Sequence, residues 1–259
     1  MRRTRLESVD LVRGAIMVLM ALDHVRDFFG ERGVNPTDPA QTTVTLFFTR
    51  WVTHFCAPVF FLLIGVGACL ALRRKTKREV ARFLLTRGLW LIFLELVVVR
   101  CFGLQFNVDY RVTLLEVLWA LGWAMITLSA LVYLPVALAT AFGIVLIAGH
   151  NLLDPVRIAN PLWAILHAQG FVVNSPKHVV FAAYPLIPWI GVTAAGFGLG
   201  QVYQWAPERR RSALGCRIIA PPGTMAGVSS FATLRSKAAT TSSGVRASFS
   251  VFKASPVTD

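Results

Sequence analysis

Charge is scarce in this sequence. Only 15% of its 259 residues are Asp, Glu, Lys or Arg, against about 25% in a typical soluble domain. Acidic residues are scarcer still: 13 Asp and Glu stand beside 26 Lys and Arg, for a formal charge of +13. Sparse charge, 55% hydrophobic residues and a mean hydropathy of +0.61 exclude a disordered chain and an ordinary soluble enzyme. Cysteine is limited to four residues with no CxxC pair. No Cys/His spacing suits zinc, so neither a disulfide framework nor a metal is expected, and the thiols read as small buried hydrophobes. A small-residue cleavage site is missing too. The basic start Arg2, Arg3, Arg5 leads into a stretch ending Asp23-His24-Val25-Arg26-Asp27, which predicts a retained first helix and not a signal peptide. No internal repeat is visible.

What the chain has is apolar runs. Six helical spans are predicted, at about 9–29, 46–72, 82–103, 113–133, 135–152 and 179–204, each near the ~20 residues that cross a bilayer. Pro135 marks the start of the fifth, since proline is tolerated in a helix's first turn. The expected fold is all-α, a polytopic transmembrane bundle whose partner is the lipid bilayer. Orientation follows from the basic clusters. Arg2, Arg3 and Arg5 precede the first span, Arg73, Arg74, Lys75, Lys77, Arg78 and Arg82 fill the second connection, and Arg209, Arg210 and Arg211 follow the sixth. These fall at every second connection, all on one side, and put the N-terminus in the cytoplasm. The positive excess is thereby explained without nucleic acid. The fifth connection, 153–178, carries Pro155, Pro161, Trp163 and His167 and suits an interfacial or re-entrant segment.

After Arg211 the composition changes. Residues 212–259 hold nine Ser, five Thr and one acid, Asp259. This divides the chain into a transmembrane domain, 1–211, and a tail, 212–259, predicted to be disordered. So abrupt a change points to a frameshifted or truncated reading frame, the other reading being a natural flexible tail.

Ionisable residues inside spans are costly, so each is a functional candidate. The first span holds Asp10, Arg13, Asp23, His24, Arg26 and Asp27; the second Arg50 and His54; the third Arg87, Glu95 and Arg100; the fourth Glu116. On a helix, Arg13 and His24 differ by about 20° in direction and about 16 Å in height, with Asp10 about 60° from Arg13. They form one polar stripe. His24 and Asp27 stand at i,i+3, close enough for a carboxylate to orient the imidazole of a general base. The bland reading is a helix end reaching the outer interface. Arg50 and His54, at i,i+4, share a face, and Pro58 frees the carbonyl four residues before it, favouring a kink. Gly65 and Gly67 permit close helix packing. Depth counting puts His24 roughly 7 Å and His54 roughly 12 Å below the outer boundary at 1.5 Å per residue, so the two histidines are expected to meet. His54 has a structural reading as well. Glu95 and Arg87 share a face of the third span and, with Glu116 early in the fourth, are read as interhelical ion-pair partners. His150, His167 and His178 are read as solvated or interfacial.

Three stretches carry a resemblance: Arg5-Leu6-Glu7-Ser8-Val9-Asp10-Leu11-Val12-Arg13-Gly14 with its continuation Ala21 to Phe29, Thr53-His54-Phe55-Cys56-Ala57-Pro58 through Gly65, and Tyr184-Pro185-Leu186-Ile187-Pro188-Trp189-Ile190-Gly191. Together they resemble bacterial membrane proteins with a heparan-α-glucosaminide N-acetyltransferase catalytic domain, from residue 5 to about 211. Arg13 and His24 also match the arginine–histidine pattern in the first helix of a wider group of membrane O-acyltransferases. The resemblance implies an integral protein of the bacterial inner membrane that transfers an acyl group. Acetyl-CoA would be the cytoplasmic co-substrate, a sugar or glycan on the other side the acceptor, and a histidine the central catalytic residue. Human-type members carry that histidine just after the first helix, where residues 30–45 have none, so the role falls to His24 or His54. The family's domain also continues with further helices.

The expected function is therefore acyl transfer from acyl-CoA to a glycan across the membrane. His24, Asp27 and His54 are the catalytic candidates, and Arg13, Asp10 and Arg50 the candidates for holding substrate or CoA. A multi-span transporter also places charges around a midplane cavity, and an inactive truncated fragment is the third reading.

Overall fold

The computed structural model describes residues 7–29, 38, 42–103, 108–156, 158 and 160–205. The predicted disordered tail and the 30–37 part of the first connection lie outside the described residues. Helix α1 runs Glu7–Phe29, with α2 at Val44–Thr53 and α3 at Cys56–Ala71. The break between α2 and α3 falls at His54 and Phe55. It follows from Pro58, which has no N–H to donate to the carbonyl of His54.

Helix α4, Lys77–Phe93, opens with a reciprocal cap. The Glu79 N–H donates to the Thr76 hydroxyl at 3.3 Å and the Thr76 N–H donates to Glu79 Oε2 at 2.7 Å. The Thr76 hydroxyl also donates to Oε2 at 2.9 Å, and the two bonds donated to the carboxylate favour its ionised form and hold the Glu79 carboxyl below its ordinary range. From Leu94 to Gly103 the helix continues with π geometry. There Glu95 is buried, and its carboxylate accepts from the backbone N–H groups of Glu116 and Trp119. It thus caps α5, Val117–Leu131, whose first N–H groups have no partner within the helix. This corrects the expected Glu95–Arg87 pair, since Arg87 instead lies over the ring of Phe83 at 5.6 Å.

The expectation of an all-α fold needs a second correction. Strands β1 (Val112–Leu115), β2 (Gly170–Asn174) and β3 (Val179–Ala182) form a small sheet in the order β1-β3-β2. β1 and β3 are parallel, pairing Val112 with Val179 and Leu115 with Ala182, while β2 joins antiparallel with an irregularity between Phe171 and Val173. Val112-Thr113 and Val179-Val180-Phe181 are β-branched and aromatic runs that suit a pleated surface. The helices assigned to the fourth and sixth spans therefore begin later, at Val117 and at Leu186, the first residue of α8 (Leu186–Val202). Between them lie α6, Val136–His150, entered at Pro135 as expected, and the short α7, Pro161–Leu166, inside the long fifth connection.

Helix α8 is central, packing on α3 and α6, while α4 packs on α5. Glycines set these crossings. A Cβ on Gly65 would fall on the Thr193 carbonyl oxygen and come within 2.5 Å of Phe197 N, and one on Gly196 would meet the Leu62 carbonyl. Above the α3–α8 crossing, buried Phe61 stacks on Trp189 at 4.6 Å. Below it, Cys69, Val80, Leu128, Val132 and Phe197 form a second core cluster. The faces away from α8 are apolar and bare: Met17, Val18, Leu22, Val25 and Phe28 on α1, and Leu138, Ile144 and Val145 on α6, are all exposed. Among the described residues, two helical stretches are long and apolar enough to cross a membrane, Val44–Ala71 and Val136–Leu153. Helices α5 and α8 are apolar but shorter, and α1 and α4 carry several ionisable residues.

Candidate active site

The second-span histidine sits where α2 gives way to α3, and the first-span histidine lies on the C-terminal third of α1. Both line one cavity of ≈ 580 Å³, together with Asp23, Arg50 and Thr53. The opposite wall comes from His150 at the end of α6 and from Tyr184, Pro188 and Trp189 around the start of α8. So the expected meeting of His24 and His54 on one space is what the fold produces.

An ion network holds the α1–α2 side of this cavity. The Asp23 carboxylate accepts from Thr53 Oγ1 at 2.6 Å and from Arg50 Nη1 at 3.2 Å to each oxygen. Arg26 Nη2 lies 2.6 Å from it. Two guanidinium groups and a hydroxyl converge on one carboxylate, an arrangement of charge-assisted bonds that fixes α2 to α1. In the sequence Asp23 is only one of several ionisable residues in the first span. Its role across two helices could be suspected from Arg26 at i+3, but Arg50 is 27 residues away. Arg50, expected to bind substrate or CoA, lines this cavity and donates to Asp23. Asp23→Ala is expected to lower stability by on the order of 2 kcal/mol, the scale of lost bonds to a charged group. Asp23→Asn should lose less. Thermal unfolding of the detergent-solubilised chain checks this, and equal melting of both variants and the wild type would refute it.

Arg13 and Asp10 lie elsewhere. They pair with each other at 3.8 Å, both side chains about half exposed, and Asp10 faces neither cavity. Arg13 lines a separate cavity of ≈ 350 Å³ with Lys75 from the basic second connection and Met125 of α5. Gly67 leaves the room it needs, for a Cβ there would stand 2.9 Å from an Arg13 nitrogen. Gly67 thus serves the arginine, whereas Gly65 serves helix packing. The backbone of Asp27 belongs to α1, but its side chain lies outside the described residues, and the pairing with His24 stays an expectation.

His167 departs from the solvated reading. It is buried, with Nδ1 3.0 Å from His150 Nδ1 and Nε2 3.3 Å from Asp154 Oδ1. Among the described residues these three form the one group of His, Cys, Asp or Glu near enough together to be weighed as a metal site. The detectable sequence signal was His150 and Asp154 at i,i+4, which a helix end places side by side.

Comparison with known proteins gives one positive result. The family model described as heparan-alpha-glucosaminide N-acetyltransferase, catalytic, matches residues 5–232, a range that extends past Arg211 into the Ser-rich segment. No curated protein and no solved structure matches the chain.

Proposed function

The chain belongs to the heparan-alpha-glucosaminide N-acetyltransferase catalytic family, and from that premise we propose that it is an integral membrane acyltransferase. It moves an acetyl group from acetyl-CoA on the cytoplasmic side to a sugar or glycan on the other side of a bacterial inner membrane. The observation that carries this reading is the pair of cavities at different heights of α1. One is basic, with Arg13 and Lys75; the other gathers His24, His54 and His150. Two positive side chains beside an apolar recess suit the phosphates and the thioester arm of acyl-CoA. His24, about 16 Å further along α1 than Arg13 by helical rise, and the histidines that share its cavity suit the chemistry. His24, oriented by Asp27, takes up the acyl group or the acceptor's proton, and His54 is its competitor for that role.

Six spans with both termini inside accommodate these heights. The bare apolar faces of α1 and α6 support it, because in water they would be aggregation-prone patches. Single cysteines introduced at Asn35 and Lys75 test the topology. Only the substitution at 35 should react with an impermeant thiol reagent in intact cells, and labelling at 75 would defeat the model. The CoA assignment is tested by Arg13→Ala, which should raise KM for acetyl-CoA with kcat little changed if the contact is equal in ground and transition states. An unchanged KM would remove Arg13 from the site.

A further inference from the structure

We infer that Asp154, His167 and His150 form a proton relay in which His150 is the catalytic base for the acceptor, His167 its positioning residue and Asp154 the anchor of His167. This deepens the proposed function and rests on it for the reaction, though not for the hydrogen bonds. His150 ends α6, and Asp154 follows one turn later. The α7 segment then folds back and delivers His167 between them. The His167 side chain is 3% exposed, whereas that of Asp154 is 63% exposed, so the chain of contacts runs from the surface through a buried ring to the wall of the histidine cavity.

The tautomers follow from the partners. The Asp154 carboxylate, which can only accept when ionised, faces His167 Nε2 at 3.3 Å, so that nitrogen carries the proton. A neutral His167 then has its lone pair at Nδ1. The neighbouring His150 Nδ1, 3.0 Å away, must be the donor. His150 is thereby left with a bare Nε2, on a side chain that lines the cavity. This is the state a general base requires, set by two groups outside the cavity. A zinc ion fits less well. His167 turns opposite ring nitrogens to its two neighbours, while a tetrahedral ion needs ligand atoms converging on one point at about 2.0–2.1 Å.

With the proton assigned to His150, His24 keeps the acyl-carrying role. A His24 ring nitrogen attacks the thioester carbonyl carbon, the C–S bond breaks, and the ring N–H proton passes to the thiolate, giving acylimidazole and free thiol. The acceptor's hydroxyl or amine then attacks the acyl carbon and loses its proton to His150 Nε2. The bond from acyl carbon to imidazole breaks, and His150 returns the proton to the His24 nitrogen. His150 ends as it began, and His24 ends neutral with its proton on the other ring nitrogen. While the extra proton is held, the Nδ1–H of His150 shifts toward His167 and the Asp154 carboxylate stabilises the charge.

The test uses the full chain, ¹⁵N-labelled at histidine, in lipid nanodiscs. The ¹⁵N spectrum should show His150 protonated at Nδ1 and bare at Nε2, with His167 the reverse. Asp154→Asn, a surface change that spares the core, should scramble that order. The activity arm compares transfer of label from acetyl-CoA to glucosamine with exchange of label between acetyl-CoA and free CoA. His150→Ala should lower transfer relative to exchange by on the order of 10²-fold, and His167→Ala by roughly 10-fold, in kcat and not in KM for acetyl-CoA. His150 protonated at Nε2, tight zinc binding that these alanines abolish, or transfer unaltered in correctly folded His150→Ala would each overturn the relay. A wild type that neither exchanges nor transfers would instead defeat the acyltransferase reading, and the nitrogen spectrum would still decide the relay.

Discussion

His24→Ala in the intact chain is expected to cut acyl transfer by on the order of 10²-fold or more, the scale seen when a positioned acid–base group is lost, while protein level changes little. His24 is exposed and lines the cavity wall, so its loss leaves no buried charge behind. The histidine four residues beyond Arg50 supplies the control. If His24→Ala stays active while His54→Ala is dead, the acyl carrier is at the α2–α3 break and not on α1. If both variants retain full activity, the cavity is not a transferase site and the transporter reading gains. Rate assays at saturating acetyl-CoA, paired with immunoblots for protein level, separate these results.

The largest structural effect is expected at the α3–α8 crossing. Gly65→Ala would drive a methyl group into the Thr193 carbonyl, and Gly196→Ala would do so at the Leu62 carbonyl. Side chains can rotate away from an intruding methyl, but main-chain atoms on both sides cannot, so the helices must separate. Overpacking ordinarily costs about 1–3 kcal/mol, and these substitutions belong at or above the top of that range. Parting α3 from α8 also disturbs the stack of Phe61 on Trp189, and Trp189 lines the histidine cavity. Gly14→Ala is the control, since nothing lies within 4 Å of its added methyl. It should be neutral or slightly stabilising, as alanine is the better helix former. Thermal unfolding in detergent measures all three, and equal melting of Gly65→Ala and Gly14→Ala would refute the account of this crossing.

Several of these features were legible in the chain itself. The apolar run broken by Pro58 foretold a helix that kinks at His54, because the missing N–H names the orphaned carbonyl. Counting residues from the outer boundary brought His24 and His54 to the same space, because helical rise is nearly constant. The strands were not legible. Four-residue runs such as Val112–Leu115 and Val179–Ala182 lie beside long apolar helices, and periodicity cannot separate a short buried strand from the end of a span. Nor was the partner of Glu95. A carboxylate inside a span must find donors, and the sequence offers arginines, yet the structure satisfies it with the free N–H groups of α5. The same limit applies to Arg50, whose charge was evident while its carboxylate, on another helix, was not. His167 was misread because its burial depends on α7 folding back toward the end of α6, and no local pattern in 153–178 encodes that return.

The central claim is that this chain moves an acetyl group from acetyl-CoA through a histidine-lined cavity. The most direct measurement incubates the purified chain in lipid vesicles with radiolabelled acetyl-CoA and glucosamine, and follows label in CoA exchange and on the sugar. The account predicts exchange and transfer by the wild type and neither by His24→Ala. Intact, folded wild-type protein that binds acetyl-CoA yet neither exchanges nor transfers its acetyl group would contradict it.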